Sequence, residues 1–514
     1  MNHTVNQPGS PCRIHEAYLT WTASYPDKLA LADSERRLSY QELEAAVEQA
    51  ARKLEDAGVR AGDRVLLVAE NSVALAVCIL AVSRLQAWSA TVNARLSARE
   101  IDNFLSHSGA RVALYFSAGS PQAKAHGELR GAQSVEWPAI GTLMLGPVNQ
   151  DAVTEPVEED GARQVAAMVY TSGTTGAPKA VMLTHANLLF IGANNCRMRK
   201  LVPTDVIYGV LPLSHVYGLS ALLVAALLGG ASLYLVARYQ PEALAHALAN
   251  DGITVMHGAP AMYAKLLEWS ESGGVALQAP ALRVAQSGGA PLTMPLKQAF
   301  EKTFGLILQN GYGMTEASPS ICQTRLDAPR SDCSVGQPIP GVEIKLHGAD
   351  QSSEGVGELW VRGPNVMKGY YRAPDLTAET VTPDGWLRTG DLAREQDDGA
   401  IAIVGRSKEL IIRSGFNVYP IEVEQVLNAY PDVVQSAVVG RTVEGNEEVI
   451  GFVERARDTD IDLESLYAHL KANLSPYKIP SEVIVLDQLP AAATGKVLKK
   501  ELQQRAQQML NEKA

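Results

Sequence analysis

The sequence predicts an α/β protein with a large N-terminal domain of βαβ-built sheets, a small β-barrel-like unit and a small, mobile α+β C-terminal domain. Apolar strand-like runs alternate with helical patterns along most of the chain, as in DRVLLVAE (63–70) followed by SVALAVCILAVSRL (72–85). This alternation is typical of βαβ units around parallel sheets. The 514 residues also exceed what one core usually holds, which is about 300 residues at most, so more than one domain is expected.

Changes in pattern along the chain predict the domain boundaries. Residues 1–14 are polar, contain Pro and Gly and lack the order of a signal peptide, so we expect a disordered lead-in. Residues 15–404 form the predicted N-terminal domain, within which 341–404 consist of short strands and turns and form a β-rich part. Residues 405–409 are the predicted connection, and 410–514 return to helix and strand patterns as the C-terminal domain.

Composition and charge restrict the partners and the location. The net charge of -11 argues against nucleic acid or an anionic membrane surface as the main partner. The uncharged run between Asp205 and Arg238 is long enough to cross a bilayer, but Pro212 and the Gly229-Gly230 pair interrupt it, so a buried helix, a turn and a core strand are predicted instead of a transmembrane span. Five scattered cysteines without metal-binding spacing favour a reduced, cytoplasmic location.

A run of glycines and hydroxyl residues separates two strand-like stretches, the first ending at Tyr170 and the second beginning at Val181. Glycines let backbone N–H groups converge on an anion, hydroxyls add donors, and a lysine adds charge. A Walker loop is excluded because its lysine directly follows the second glycine and a helix comes next. An ordinary Gly/Ser/Thr hairpin is the alternative to a polyphosphate site, for which the candidate residues are Thr171, Ser172, Gly173, Thr174, Thr175, Gly176 and Lys179.

The segment TSGTTGAPKA (171–180) is similar to the TSGTTGxPKG signature of the adenylate-forming enzymes, which include acyl-CoA synthetases, nonribosomal-peptide adenylation domains and beetle luciferases. Ala180 departs from the usual glycine. Further motifs follow in the family order over roughly residues 15 to 505, with the closest resemblance to fatty-acyl and coumarate-type AMP-forming CoA ligases. The resemblance implies binding of ATP, Mg²⁺ and coenzyme A.

The segment NGYGMTEAS (310–318) resembles the family motif that contacts the nucleotide. By this resemblance, Tyr312 packs on the adenine, Thr315 contacts the α-phosphate and Glu316 holds the magnesium ion. An aromatic face, a hydroxyl and a carboxylate suit these three partners. The other nucleotide-binding residues that the resemblance implies are Gly289, Ala290, Pro291, Gly311, Gly313, Asp391 and Arg406.

Asp391, in DGWLRTGDLA, resembles the carboxylate that accepts both ribose hydroxyls, and Arg406 resembles the arginine beside it. Without the family, Asp391 would equally suit a turn. Lys408 resembles the hinge about which the C-terminal lid domain rotates. Lys496 resembles the lysine that enters the site for adenylation, and Gly415 would leave room for the pantetheine arm of coenzyme A.

The segment LPLSHVYGLSALL (211–223) resembles the acyl-pocket helix of these ligases. His215 would gate the pocket, although a histidine in an apolar run is more often a core residue. A mostly neutral, apolar pocket predicts an aliphatic or aryl monocarboxylate, with a fatty acid better supported because Gln286 stands where some aryl ligases carry lysine. The predicted pocket residues are His215, Tyr217, Ala221, His257 and Gln286.

The predicted activity is an AMP-forming carboxylate–CoA ligase whose substrate is a medium- or long-chain fatty acid or an aryl monocarboxylate. A ligase that loads an acyl-carrier protein and a luciferase-like oxygenase are the alternatives within the family. A nucleotide-binding regulator without turnover is the alternative of another class. A monomer and a homodimer both remain open.

Overall fold

The computed structural model describes residues 11–171, 179–349, 355–414, 416–444, 446–456, 459–491 and 497–513. Two large sheets with helices between and around them form the N-terminal part, and two small sheets form the C-terminal part. The predicted α/β class, with a large sheet-rich domain followed by a small one, is confirmed.

The first sheet has nine strands, of which the central six run parallel. Antiparallel strands extend it at both edges. Its strands, in spatial order, are Gln337–Pro338, Ser320–Gln323, Leu308–Gly313, Val284–Ser287, Val255–Gly258, Val206–Gly209, Ser232–Leu235, Leu29–Ala32 and Arg37–Ser39.

The second sheet has eight strands around a parallel centre of four. Its central strand Arg64–Ala69 is buried along its whole length and apolar from Val65 onward, as expected of a strand whose two faces are both covered. In spatial order the strands are Gly369–Tyr370, Lys179–Thr184, Val165–Thr171, Trp88–Asn93, Arg64–Ala69, Val112–Tyr115, Gly141–Leu145 and Gln133–Trp137.

Helices between the two sheets join them in one core. In the helix Val73–Arg84 every residue from Val73 to Ser83 is buried, as expected of a helix that is apolar on all sides. Other helices begin at serine or threonine caps, such as Ser39 before Tyr40–Asp56. The remaining N-terminal helices are Leu19–Ser24, Ala98–Ser108, Pro121–Leu129, His185–Arg199, Tyr217–Val224, Ala225–Gly229, Pro241–Asn250, Pro260–Gly273, Met294–Phe304 and Pro374–Thr380.

The β-rich part is a four-stranded antiparallel sheet. Its inner face shares a core with the edge of the nine-stranded sheet, where Leu359 and Leu387 pack in one cluster with Ile321 and Cys322. The strands are Glu343–His347, Val356–Arg362, Leu387–Glu395 and Ile401–Arg406.

The C-terminal part begins after a 3₁₀ turn, Ser407–Glu409. It has a two-stranded and a three-stranded sheet with their own apolar clusters. The strands are Ile411–Arg413, Phe416–Val418, Val433–Val443, Asn446–Arg455 and Glu482–Leu486, and the helices are Pro420–Leu427, Leu463–Asn473 and Lys499–Lys513.

The structure bears on two predictions, one about the first residues of the chain and one about the uncharged run. Ile14 is fully buried in the main core, so its assignment to a disordered lead-in is wrong, because an apolar side chain at the end of a polar run was overlooked. Between Asp205 and Arg238 the chain forms two strands and two short helices. Among the described residues, no helix is long and apolar enough to span a membrane.

Candidate active site

The predicted phosphate loop joins two neighbouring strands of the eight-stranded sheet. Val165–Thr171 and Lys179–Thr184 run antiparallel, and Thr171 pairs with Lys179 in the register. Both residues are half-buried. The pairing places the first hydroxyl residue and the lysine of the run side by side where the loop begins and ends. The rest of the predicted loop lies outside the described residues, namely Ser172, Gly173, Thr174, Thr175 and Gly176.

Asp391 connects two other segments that are predicted to bind nucleotide. It lies opposite Arg406 in the antiparallel ladder, and Arg406 Nε is 2.9 Å from Asp391 Oδ1. The Tyr312 hydroxyl donates a hydrogen bond to Asp391 Oδ2. Asp391 itself is 3% exposed. The structure thus brings Tyr312, Asp391 and Arg406 together in one cluster, as a ribose-binding carboxylate beside an adenine-binding ring would require.

Burial and the charge of Asp391 control the protonation of this cluster. Burial, followed by the neighbouring carboxylate, raises the pKa of Tyr312 well above its ordinary range. The phenol therefore keeps its proton and donates a hydrogen bond to Asp391. Burial lowers the pKa of Arg406, but the charges of Asp391, Glu409 and Glu316 together with Tyr312 outweigh this effect, so the pKa is raised overall. The carboxylate is flanked by donors and, being acceptor-only, can also receive hydroxyl groups.

Two predicted glycines allow the tight path of the chain around Tyr312. A Cβ on Gly313 would lie 1.8 Å from the carbonyl oxygen of Pro319, and a Cβ on Gly311 would lie 2.8 Å from Gln286 Nε2. A side chain at either position would therefore displace its neighbour. Gly311 also places the nucleotide segment directly against a predicted acyl-pocket residue.

Thr315 and Glu316 follow in a 3₁₀ turn, Thr315–Ala317. The Tyr370 hydroxyl donates to Glu316 Oε1 at 2.7 Å, while no residue that the structure describes donates to Oε2. Sequence analysis missed Tyr370, for which the Gly-Tyr-Tyr run was the only signal. Burial, and then Glu316, raise the pKa of Tyr370, so its phenol remains a donor that orients the carboxylate.

The residues around Glu316 can be compared with the needs of a metal ion. In the described part of the chain, no group of three or more His, Cys, Asp or Glu side chains could hold a metal. Glu316 offers one carboxylate, and its Oε2 accepts no hydrogen bond from a described residue. This fits Mg²⁺, which commonly takes one or two carboxylates and fills its remaining positions with water and phosphate oxygens.

Three predicted acyl-pocket residues lie together at the carboxyl edge of the nine-stranded sheet. His257 and Gln286 are paired on neighbouring parallel strands. Tyr217 begins the helix Tyr217–Val224, which has π-helical geometry, and its hydroxyl oxygen is 3.4 Å from His257 Nδ1. The carboxyl edge of a parallel sheet is where α/β proteins bind ligands, and π-helical turns often occur at functional sites.

Tyr217 and His257 are both neutral at physiological pH. Burial, and then the charge of Arg199, lower the pKa of His257 to about 3. Burial raises the pKa of Tyr217. The Tyr217 ring lies against Gly288, where an added Cβ would be 3.1 Å from the ring. Close packing therefore holds the ring in place beside the histidine.

The remaining predicted residues surround this group. His215 is exposed, and its Nδ1 accepts a hydrogen bond from the Tyr217 backbone N–H at 3.2 Å. Ala221 is buried, and its carbonyl accepts from Asn195 Nδ2 at 2.7 Å. The turn after Val284–Ser287 contains three further predicted residues, with a left-handed backbone at the first of them (φ +82°): Gly289, Ala290 and Pro291.

A buried arginine, Arg199, lies close to the predicted acyl pocket, because its charge helps to lower the pKa of His257. It is fully buried at the end of the helix His185–Arg199. Its Nη1 donates to the Thr324 carbonyl and its Nη2 to Gln323 Oε1, both at 2.9 Å. Sequence analysis overlooked it because it precedes the uncharged run and its partners are 124 and 125 residues away.

The predicted hinge lies at the boundary of the C-terminal part. Lys408 is exposed in the turn Ser407–Glu409. Next to it, Lys499 Nζ lies 3.0 Å from Glu409 and 2.8 Å from Glu424, which links the turn to the C-terminal helices. Lys496 and Gly415 lie outside the described residues, so the structure does not place them.

The sequence matches two family models and is similar to several known proteins. The family model described as "AMP-binding enzyme" matches residues 19–371, and the "AMP-binding enzyme C-terminal domain" matches residues 422–496. A feruloyl-CoA synthase of Amycolatopsis sp is 34% identical, over 93% of this chain and 96% of that protein. A sulfoacetate–CoA ligase of Cupriavidus necator is 33% identical, over 92% of this chain and 94% of that protein.

Solved structures give the same result. The crystal structure of ATP-bound MatB from Rhodopseudomonas palustris is 29% identical, with a TM-score of 0.81 over 96% of this chain and 99% of that one. Fold and sequence together therefore define an enzyme of the adenylate-forming class. The chain belongs to the AMP-binding enzyme family, and it is an AMP-forming acid–thiol ligase.

Proposed function

We propose that this AMP-forming carboxylate–CoA ligase acts on a compact acid, such as an aryl acid, whose far end is polar. The observation that most directly supports the joining of an acid to an adenylate is the contact between the predicted acyl-pocket residues and the predicted nucleotide-binding residues. Gly311 lies against Gln286 of the acyl group, and the next residue, Tyr312, is hydrogen-bonded to Asp391. An acid in the pocket and an adenosine at Asp391 would therefore be neighbours.

The first half-reaction joins these two ligands. A carboxylate oxygen of the acid attacks the α-phosphorus of ATP, the new O–P bond forms, and pyrophosphate leaves with the electrons of the broken bond. Two anions must approach each other, so positive charge and donors are needed around them. We assign Thr315 to the α-phosphate, Asp391 and Arg406 to the ribose, and Lys496 to the reacting carboxylate. Glu316 would hold Mg²⁺, which neutralises phosphate charge when bound.

In the second half-reaction the thiol of coenzyme A attacks the acyl carbon, the thioester forms and AMP leaves. We propose that the C-terminal domain rotates about Lys408 between the two steps, and that Gly415 faces the pantetheine arm. All five cysteines are free thiols, which supports the proposed cytoplasmic location.

The pocket residues favour a compact acid over a long alkyl chain. Tyr217 packs on Gly288 and contacts His257, so a ring with a hydroxyl and an imidazole bounds the pocket. Methylene groups placed against Gln286 Oε1, a buried atom that accepts no hydrogen bond from a described residue, would leave it unsatisfied, which is unfavourable. The related proteins include a feruloyl-CoA synthase and a sulfoacetate–CoA ligase. These names describe an aryl acid and a small sulfonated acid, which are both compact.

Lys496→Ala tests the assigned mechanism. We expect ATP–pyrophosphate exchange to fall by roughly 10²–10³-fold, the usual effect of removing one preorganised donor from a developing charge. Thioester formation from supplied acyl-adenylate and coenzyme A should fall much less, because Lys496 is assigned to the first step alone. Rates of the two half-reactions are measured separately.

Lys471→Ala is the matched control, since Lys471 is exposed on a helix of the same domain. Both half-reactions should keep their rates in this variant. Equal losses in both half-reactions for Lys496→Ala would contradict its assignment. Supplying coenzyme A and a carrier protein side by side then decides the acceptor, and absence of pyrophosphate exchange with every acid would favour the non-catalytic regulator.

A further inference from the structure

Four buried polar atoms around the predicted acyl pocket have no hydrogen-bond partner among the residues that the structure describes. They are Asn195 Oδ1, Arg199 Nε, Gln286 Oε1 and Ser287 Oγ. Each residue is at most 2% exposed. Buried polar groups are nearly always paired in folded proteins. Such a concentration next to one pocket indicates a ligand that supplies the missing partners.

Arg199 is the only charged member of this group. No carboxylate in the described part of the chain pairs with it, since its two hydrogen bonds go to the neutral groups of Gln323 and Thr324. Burial lowers the pKa of Arg199 to about 10, so the guanidinium remains charged at neutral pH. A buried charge without a counter-charge is destabilising.

Arg64 shows how the same fold treats a buried arginine with a structural role. It too is fully buried. All three of its nitrogens donate to backbone carbonyls, and Glu155 lies 3.9 Å away. Arg199 has neither a carboxylate nor a complete set of acceptors. The difference points to a binding role for Arg199.

Arg199 lies beside the acyl pocket. Asn195, one helical turn earlier on the same face, donates to the Ala221 carbonyl of the pocket helix. On the other side, Gln323 connects Arg199 to Gly311, because a Cβ on Gly311 would lie 3.3 Å from Gln323 Cγ. The charge of Arg199 also contributes to lowering the pKa of His257.

We propose that Arg199 binds a second anionic group of the acid substrate, a carboxylate or a sulfonate at the end remote from the carboxyl that is adenylated. This inference rests on the proposed function and defines its substrate class. Arg199 Nε–H is the donor for this group. Asn195 Oδ1 and Gln286 Oε1 are acceptors, and water can bridge them to the same anion.

Matched acid pairs test the proposal. Each short diacid is compared with the half-ester of the same backbone length, and a sulfo-acid is compared with its neutral analogue. ATP–pyrophosphate exchange on the full chain measures how well each acid is used. The wild type should have a kcat/KM about 10- to 100-fold higher for the dianion, the range for a hydrogen bond to a charged group. Equal or better use of the half-ester would overturn the proposal.

Three variants separate binding from folding. Arg199→Met should reduce the ratio of kcat/KM for diacid over half-ester to about one, and Arg199→Lys, which keeps the charge, should retain part of it. Arg197→Met removes the same charge from an exposed position of the same helix, and its ratio should equal that of the wild type. A parallel loss for both acids in Arg199→Met would assign Arg199 a structural role instead.

A binding measurement covers the case in which Arg199→Met does not fold or no acid supports exchange. Calorimetric titration of wild-type protein with diacid and half-ester, in the presence of α,β-methylene-ATP, should show tighter binding of the diacid. Absence of exchange with every acid would refute the proposed function alone, whereas equal binding of the two acids would refute the role of Arg199.

Discussion

At the scale of single residues, Asp391 combines deep burial with contacts to two residues from other segments. It accepts a hydrogen bond from Tyr312, which lies 79 residues away in the sequence, and pairs with Arg406. Because it is 3% exposed, water cannot easily replace it. Loss of its charge would remove the acceptor of the Tyr312 hydroxyl and the ion pair with Arg406, whose side chain is 48% exposed, and the two losses together cost more than the loss of one hydrogen bond.

Tyr312→Phe and Asp391→Ala are therefore expected to differ in their effect on ATP. Tyr312→Phe keeps the ring and removes one hydrogen bond, so the KM for ATP should rise by about 3- to 10-fold. Asp391→Ala removes the assigned ribose acceptor and the ion pair with Arg406, so the rise should be about 10²-fold or more. Pyrophosphate exchange at varied ATP concentration measures both.

Asp397→Asn serves as the control, because Asp397 is exposed in the turn that follows the strand of Asp391. The same charge is removed there without contact with the cluster, and the KM for ATP should not change. An Asp391→Ala enzyme whose KM for ATP stays within about twofold of the wild type would show that the ribose binds elsewhere.

At the scale of elements, the turn Ser407–Glu409 is where the proposed rotation would occur. Proline fixes φ near −65° and also restricts the residue before it. Lys408→Pro should consequently lock one arrangement, leaving pyrophosphate exchange close to normal while thioester release falls sharply. Both half-reactions are followed in the same preparation.

Lys408→Ala separates the backbone from the side chain. The Lys408 side chain is exposed, so its removal should cost little stability, and both half-reactions should continue. Full thioester turnover by Lys408→Pro would show that this turn is not the hinge. Neither variant replaces Lys499, Glu409 or Glu424, the residues whose ion pairs attach the turn to the C-terminal helices.

Elements with a regular apolar pattern could be predicted from the sequence, and contacts between distant segments could not. The helix Val73–Arg84 and the strand Arg64–Ala69 follow from local composition. The π-helical form of Tyr217–Val224 does not, because it depends on packing: a Cβ on Gly218 would lie 2.2 Å from the Pro212 carbonyl oxygen.

The same distinction between local patterns and long-range contacts applies to the candidate site. Motif resemblance identified Tyr312 and Asp391, which the structure joins. Arg199 and Tyr370 have no motif, and their meaning depends on partners 124 and 54 residues away. A single sequence carries no signal for such pairs, so the buried charge of Arg199 near the predicted pocket was missed.

At the scale of the whole molecule, two buried histidines link the N-terminal segment to the main core. His15 Nδ1 lies 2.8 Å from Ser83 Oγ, and the Ile14 backbone N–H donates to His185 Nδ1 at 3.3 Å. Burial lowers the pKa of His15 to about 4 and that of His185 to about 3. Both are therefore neutral in the folded protein at neutral pH.

These shifts predict that acid weakens the fold. The unfolded chain binds a proton at each histidine below about pH 6.5, whereas folded His15 does so only near pH 4. The stabilisation is thus complete above pH 6.5 and is lost as pH falls towards 4. At about 1.4 kcal/mol per pH unit, each histidine contributes a loss of about 2 kcal/mol between pH 6.5 and pH 5.

His15→Gln keeps an acceptor for the Ser83 hydroxyl but cannot take up the proton, so its free energy of unfolding should fall by about 2 kcal/mol less than that of the wild type over this range. Urea denaturation at pH 7 and pH 5 measures the difference. His246→Gln, at an exposed helix position, should follow the wild-type pH dependence. If His15→Gln follows it too, protonation of His15 does not limit stability in acid, and the N-terminal segment is held by the burial of Ile14 instead.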